Sequence, residues 1–175
     1  MRFKSFVFYQ TALSHAIENE EVEIVKYLLS NPKIDINMKS KSEIKEGGGC
    51  ISYFEYAKTN EKSSLFYAIE NGNINTIRAL LEKQKIDINF GIKEYLSCYG
   101  KIDMIQDKSP LYLAVEKQNL EMVQLLLKQP NIEINYVFRS CRYQNNNKPI
   151  IQQKTIMELA SEKPNTEIKN LLSKY

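Results

Sequence analysis

The sequence predicts a mainly α protein, a solenoid of about four helix–turn–helix units joined by long β-hairpins. Three observations predict it. First, one stretch recurs. Residues 109–135 read SPLYLAVEKQNLEMVQLLLKQPNIEIN, residues 11–37 TALSHAIENEEVEIVKYLLSNPKIDIN and residues 63–89 SSLFYAIENGNINTIRALLEKQKIDIN, with a shortened copy, TIMELASEKPNTEIKNLLSKY, at residues 155–175. Such self-similarity marks stacked supersecondary units, none of which buries its apolar face alone. Second, apolar residues within each copy recur at intervals of three and four, the pattern of a one-sided helix. Third, residues 38–62, 90–108 and 136–154 between the copies are rich in Tyr, Phe and Ile for a disordered linker. They also hold the Gly and Asn residues that favour hairpin turns.

Taken in order, residues 1–10 (MRFKSFVFYQ) read as a partial finger, the second arm of a hairpin, because Phe3, Phe6, Phe8 and Tyr9 are strand formers. Two readings stand side by side. The chain is the C-terminal piece of a longer array, or it starts here and this arm pairs with the next hairpin. Thr11 then caps a helix through its hydroxyl, with Leu13, Ala16 and Ile17 on one face. Ala16, Ala68, Ala114 and Ala160 share one repeat position, where a small side chain lets paired helices approach. A second helix over about residues 21–30 turns Val22, Val25, Leu28 and Leu29 inward, and Pro32 and Pro130 help to end such helices. Gly72 breaks the second pair, where Glu20 and Gln118 stand in other units. Ile34 and Ile36 are read as the start of an extended strand.

In the linkers, Gly47, Gly48 and Gly49 form the first turn and residues 52–56 the return arm. Gly100 turns the second finger, and Asn145, Asn146 and Asn147 the third. Arms of about 8 residues would reach roughly 25 Å. In the last unit Glu158 follows Thr155 by three places, a capping-box pattern. Its second helix carries polar Lys169 and Asn170, the kind of outer face a terminal unit needs, so a genuine C-terminus is the expectation here.

The four copies resemble ankyrin repeats. The family's opening block, Thr-Pro-Leu-His-x-Ala, is matched by Ser109-Pro110-Leu111-Tyr112-Leu113-Ala114, and less closely by the blocks beginning at Thr11, Ser63 and Thr155. The Asp-Val-Asn ending is matched by Asp35-Ile36-Asn37, Asp87-Ile88-Asn89 and Glu133-Ile134-Asn135. The block's His is absent from all four copies, His15 lying one place late. The openings at residues 11, 63, 109 and 155 are farther apart than the roughly 33 residues of a standard repeat, and the excess lies in the linkers. The resemblance implies an ankyrin-repeat solenoid over residues 1–175, a single domain, and the work of a non-catalytic protein–protein interaction module. It also implies that Glu18, Glu70, Glu116 and Glu162, one slot of the repeat, border the concave groove where the family's partners dock.

The chemistry points the same way. Hydrophobic content of 43% with 26% charged residues suits a folded domain, and a net charge of +3 is too small to argue for nucleic acid. No segment approaches the ~18 apolar residues of a membrane span, and residues 1–10 lack a signal-peptide cleavage pattern. The expected location is cytoplasmic, with the nucleus as alternative. Ser14 and His15 are adjacent on a helix and cannot face each other as nucleophile and base. Gly47 to Gly49 are not followed by the Lys-Ser/Thr of a phosphate loop. Cys50, Cys98 and Cys141 fall in different fingers with no Cys-x-x-Cys pair, a poor zinc set. No catalytic residue, metal, cofactor or small-molecule substrate is therefore expected.

The candidate partner-binding residues are Tyr53, Tyr56, Tyr95, Tyr99, Arg139, Arg142 and Tyr143 on the fingers, because Tyr and Arg dominate binding hot spots. Glu18, Glu70 and Glu116 join them as an acidic ladder. The expected function is an adaptor that holds an unidentified protein partner through fingers and groove, itself a monomer or weak homodimer. Two alternatives remain. One is a self-assembling structural protein joined through the N-terminal strand, whose uncovered edge invites pairing. The other is the binding part of a longer multidomain protein.

Overall fold

The computed structural model describes residues 2–48, 56–98, 101–143 and 149–175. Within them the helices come in four consecutive pairs: α1 (Ala12–Glu18) and α2 (Val22–Ser30), α3 (Ser64–Asn71) and α4 (Ile74–Leu81), α5 (Pro110–Glu116) and α6 (Leu120–Leu127), α7 (Ile156–Glu162) and α8 (Thr166–Leu172). Each first helix starts under a hydroxyl. Thr11, Ser63, Ser109 and Thr155 accept the backbone N–H three residues on, a contact of ~1 kcal/mol relative to alanine. Thr155 and Glu158 complete the reciprocal capping box. Asn73, Asn119 and Asn165 cap α4, α6 and α8, whereas α2 starts without a side-chain cap. The turn inside each of the first three pairs needs positive φ, at Glu20 (60°), Gly72 (80°) and Gln118 (56°). Only the second unit meets that need with the residue that lacks a Cβ.

First helices stack in the order α1, α3, α5, α7, and second helices in the order α2, α4, α6, α8. The four repeat alanines are buried, Ala68 and Ala114 completely, and their small size permits the close approach. Leu65, Leu111, Ile77, Leu80 and Leu126 fill the space between pairs and are almost inaccessible. Each such side chain contributes about 1.5–3 kcal/mol. Two asparagines bridge successive units. Asn37 donates to the Lys85 carbonyl (2.7 Å) and accepts from the Asp87 N–H (2.8 Å), and Asn89 repeats this with Asn131 (2.9 Å) and Glu133 (2.9 Å).

Residues 34 to 36 do not begin a strand. The Asn37 N–H bonds the Asp35 carboxylate at 2.9 Å, an Asx turn that frees the Asn37 side chain to bridge, and extended structure begins only at Ser40. The strands are β1 (Arg2–Tyr9), β2 (Ser40–Gly48), β3 (Tyr56–Lys62), β4 (Ile92–Cys98), β5 (Lys101–Lys108), β6 (Val137–Tyr143) and β7 (Pro149–Thr155). They form one antiparallel sheet in sequence order. β1 pairs along its whole length with β2, so that Gly47 and Gly48 lie in strand, opposite Phe3 and Arg2, rather than in a turn. Gly49, Cys50, Gly100 and Asn145 to Asn147 lie outside the described residues. Neighbouring hairpins bond to one another as well as within themselves. The described chain consequently holds nearly as much strand as helix, which corrects the mainly α expectation.

Candidate functional site

Register divides the sheet into two faces. One row of Cα partners crosses all seven strands: Phe8, Ser42, Asn60, Glu94, Gln106, Ser140 and Gln152. Alternate residues of a strand face opposite sides, so Phe6, Lys62, Lys108 and Lys154 share this first face. The next row, with Tyr9, Lys41, Glu61, Lys93, Asp107 and Arg139, belongs to the second.

The first face meets the first helices through a repeated clasp. Lys62 pairs with Glu70 at the end of α3. Lys108 Nζ lies 2.7 Å from Glu116 Oε2, and Lys154 Nζ 2.6 Å from Glu162 Oε2. In the first unit Gln10 Nε2 donates to Glu18 at 2.6 Å. Each clasp joins the residue just before a capping hydroxyl to the glutamate eight places on. Two of the lysines also cover aromatic rings. Lys62 Nζ is 3.9 Å from the Tyr67 ring centre, and Lys108 Nζ 5.9 Å from Tyr112 and 5.7 Å from Phe138, whose rings stack at 4.7 Å. Cation–ring contacts of this kind add ~0.5–2 kcal/mol each.

The phenols beneath are held neutral. Burial pushes Tyr112 up to about 12, reinforced by Glu116 and Glu162. Burial also raises Tyr67. Tyr136 rises through burial and then through the bond its hydroxyl donates to Asp107 at 2.7 Å.

The expected acidic ladder is therefore compensated along most of its length. Glu70, Glu116 and Glu162 each face a lysine, and Glu18 alone of the four meets an uncharged partner among the described residues. Gln10 also accepts from His15 (3.1 Å), whose other ring nitrogen faces the Asn19 amide at 3.2 Å. Near this acidic end, Phe6 (64% exposed) and Phe8 (46%) stand on the same sheet face with ring centres 6.4 Å apart.

The expected finger residues go elsewhere. Tyr95, half-buried, and Arg139, exposed, occupy the second face, on strands two apart, roughly 10 Å. They form no common surface with the helix glutamates. Tyr56 pairs with Glu46 and Cys98, Arg142 with Ile150 and Tyr143 with Pro149. The side chains of Tyr56, Arg142 and Tyr143, and Tyr53 and Tyr99 altogether, lie outside the described residues. Sequence reasoning missed Gln10, Lys62, Lys108 and Lys154. Their signal was present in the repeat, a polar residue directly before each capping hydroxyl, basic in three of the four units.

Ser14 is buried, bonded to Thr11 (2.7 Å) and Ser64 (3.2 Å), while His15 is exposed, so the two make no catalytic pair. Among the described residues no three His, Cys, Asp or Glu side chains group as metal ligands, and no helix is long and apolar enough to cross a membrane.

Comparison with known proteins adds three findings. Residues 8–137 match the family model described as ankyrin repeats in three copies. No curated protein sequence matches the chain. Among solved structures, 66 chains match. One is the crystal structure of the ankyrin repeat domain of Bcl-3, a unique member of the IkappaB protein family, at 18% identity and a TM-score of 0.57. That match covers 94% of this chain and 52% of the other, so this chain spans about half the length of its solved neighbour. At that identity the likeness is one of fold.

Proposed function

This chain belongs to the ankyrin repeat family, and from that premise we propose that it is a non-catalytic protein-interaction module working as an adaptor. Residues 1–175 act as one domain of four units (11–37, 63–89, 109–135 and 155–175), with fingers at 38–62, 90–108 and 136–154 and a partial finger at 1–10. The partner is a protein, held where the sheet's first face meets the first helices. The observation that carries this reading is the row of clasps at Gln10–Glu18, Lys62–Glu70, Lys108–Glu116 and Lys154–Glu162. They tie sheet to helices, so that the surface is ordered before a partner arrives and binding costs less entropy. Its contacts concentrate near Glu18, Phe6 and Phe8, where a carboxylate that meets an uncharged partner among the described residues, and exposed rings, suit a partner's basic and apolar side chains. Tyr95 and Arg139 offer a second, outer surface. Its working place is the cytoplasm, with the nucleus as the alternative.

Affinity capture with three baits tests this. The baits are the parent chain, a first-face variant (Phe8→Ala with Glu18→Gln) and a second-face variant (Tyr95→Ala with Arg139→Ala), each checked for fold by circular dichroism. The expected result is a partner retained by the parent and the second-face variant and lost from the first-face variant. Loss from the second-face variant alone would move the site to the outer face of the fingers. A partner absent from all three baits would overturn the adaptor reading.

A further inference from the structure

β1 and β7 are the outer strands of the sheet, and their chemistry differs. β7 opens on Pro149 and continues through exposed Ile151, Gln152 and Gln153 to Lys154. Proline and polar side chains are the usual means of blunting an edge. β1 has neither proline nor glycine and pairs with β2 over eight residues without a bulge. It exposes Phe6 (64%), Phe8 (46%) and Tyr9 (68%). Those residues lie on both faces, and the exposed Lys4 is the one charged side chain described on this strand.

We propose that β1 pairs antiparallel with β1 of a second copy of this chain, joining two seven-stranded sheets edge to edge in a closed two-fold dimer. Three features favour a second copy over another occupant. Antiparallel pairing of identical strands is what a two-fold axis normal to the sheet generates, and such a contact closes on itself. That axis keeps the faces in common, so Phe6 and Phe8 of both copies come together as one aromatic cluster that continues the surface already shared with β2. A register centred on Phe6 sets Lys4 of each copy across from Phe8 of the other, so that like charges are not opposed and a cation meets a ring. The alternative contact, β1 against β7 of the next molecule, would set aromatic residues against glutamines and would grow without closing.

Light scattering across a concentration series tests the dimer. The expected mass is twice 20.4 kDa at high concentration, unchanged as concentration rises further. Phe6→Lys with Phe8→Lys alters two exposed side chains and should hold the mass at 20.4 kDa, while Ile151→Lys on β7 should leave the dimer intact. A parent chain of monomer mass throughout, a dimer indifferent to the β1 changes, or a mass that climbs without limit would each overturn the proposal. Should the double variant misfold, Phe6→Cys with Cys50, Cys98 and Cys141 changed to Ser supplies a second test. Oxidation should then give a covalent dimer, absent when Ile151→Cys replaces Phe6→Cys, and equal yields from the two would also count against it.

Discussion

Lys108 shows how much one side chain does here. It joins the end of β5 to Glu116 on α5 and lies over Tyr112 and Phe138. An exposed ion pair alone contributes little, ~0–1 kcal/mol. This one gains from the rings below, because the lysine stem covers apolar surface while the ammonium reaches the carboxylate. The same site sets a pH limit. Tyr112 ionises near 12 in the fold, against an ordinary value of 10.0. A raised phenol stabilises the protein fully below the unfolded value, and that contribution is lost as pH climbs from about 10 towards 12. Tyrosinate absorbance should therefore show Tyr112 titrating late and in step with alkaline unfolding. Tyr112→Phe should flatten the loss of stability in that window, and an unchanged profile would remove Tyr112 as its cause.

The turns between paired helices follow one geometry with three different residues. Gly72 takes φ of 80° without a Cβ, whereas Gln118 holds φ of 56° with one, at a cost of ~1–2 kcal/mol in the left-handed region. Gln118→Gly should thus stabilise the protein by roughly 0.5–1 kcal/mol after the extra chain entropy of glycine is counted. Gly72→Ala should cost about 1 kcal/mol. Urea unfolding of the two variants checks the opposite signs. Gly91 answers a different need, close approach. A Cβ there would lie 2.0 Å from the Lys108 carbonyl oxygen and 2.7 Å from the Phe66 ring, so the entry into β4 can pack on β5 only with glycine at that place.

Across the molecule, cohesion comes from neighbours rather than from one centre. Each helix pair packs on the next, and the sheet runs alongside with each hairpin bonded to its neighbour. Stability in such an array is close to a sum of unit and interface contributions. Asn89 makes two of the bonds across the interface between the second and third units, to Asn131 and Glu133. Asn89→Ala should cost ~1–2 kcal/mol. It should also loosen coupling between the halves of the array, seen as a broader urea transition with a lower slope. A loss of midpoint with unchanged slope would mean that packing of the helices and sheet alone carries the cooperativity.

The helical half of the fold was legible because its signals are local. Capping hydroxyls at Thr11, Ser63, Ser109 and Thr155, small alanines at one repeat position and leucines at helical spacing all act within a few residues of where they stand. The paired strands were legible through their strand-forming residues, whereas Gly47 and Gly48, read as a turn, lie within β2. The merging of the hairpins into one sheet was decided by pairings such as Asn60 with Glu94 and Asp107 with Arg139, which no local pattern encodes. That register also decided which residues share a face. It set Tyr95 and Arg139 apart from the helix glutamates, and turned three of those glutamates toward lysines. A strand's side-chain alternation is written in the sequence, but the face that looks toward the helices depends on how each strand is laid against the next, and only tertiary packing chooses that.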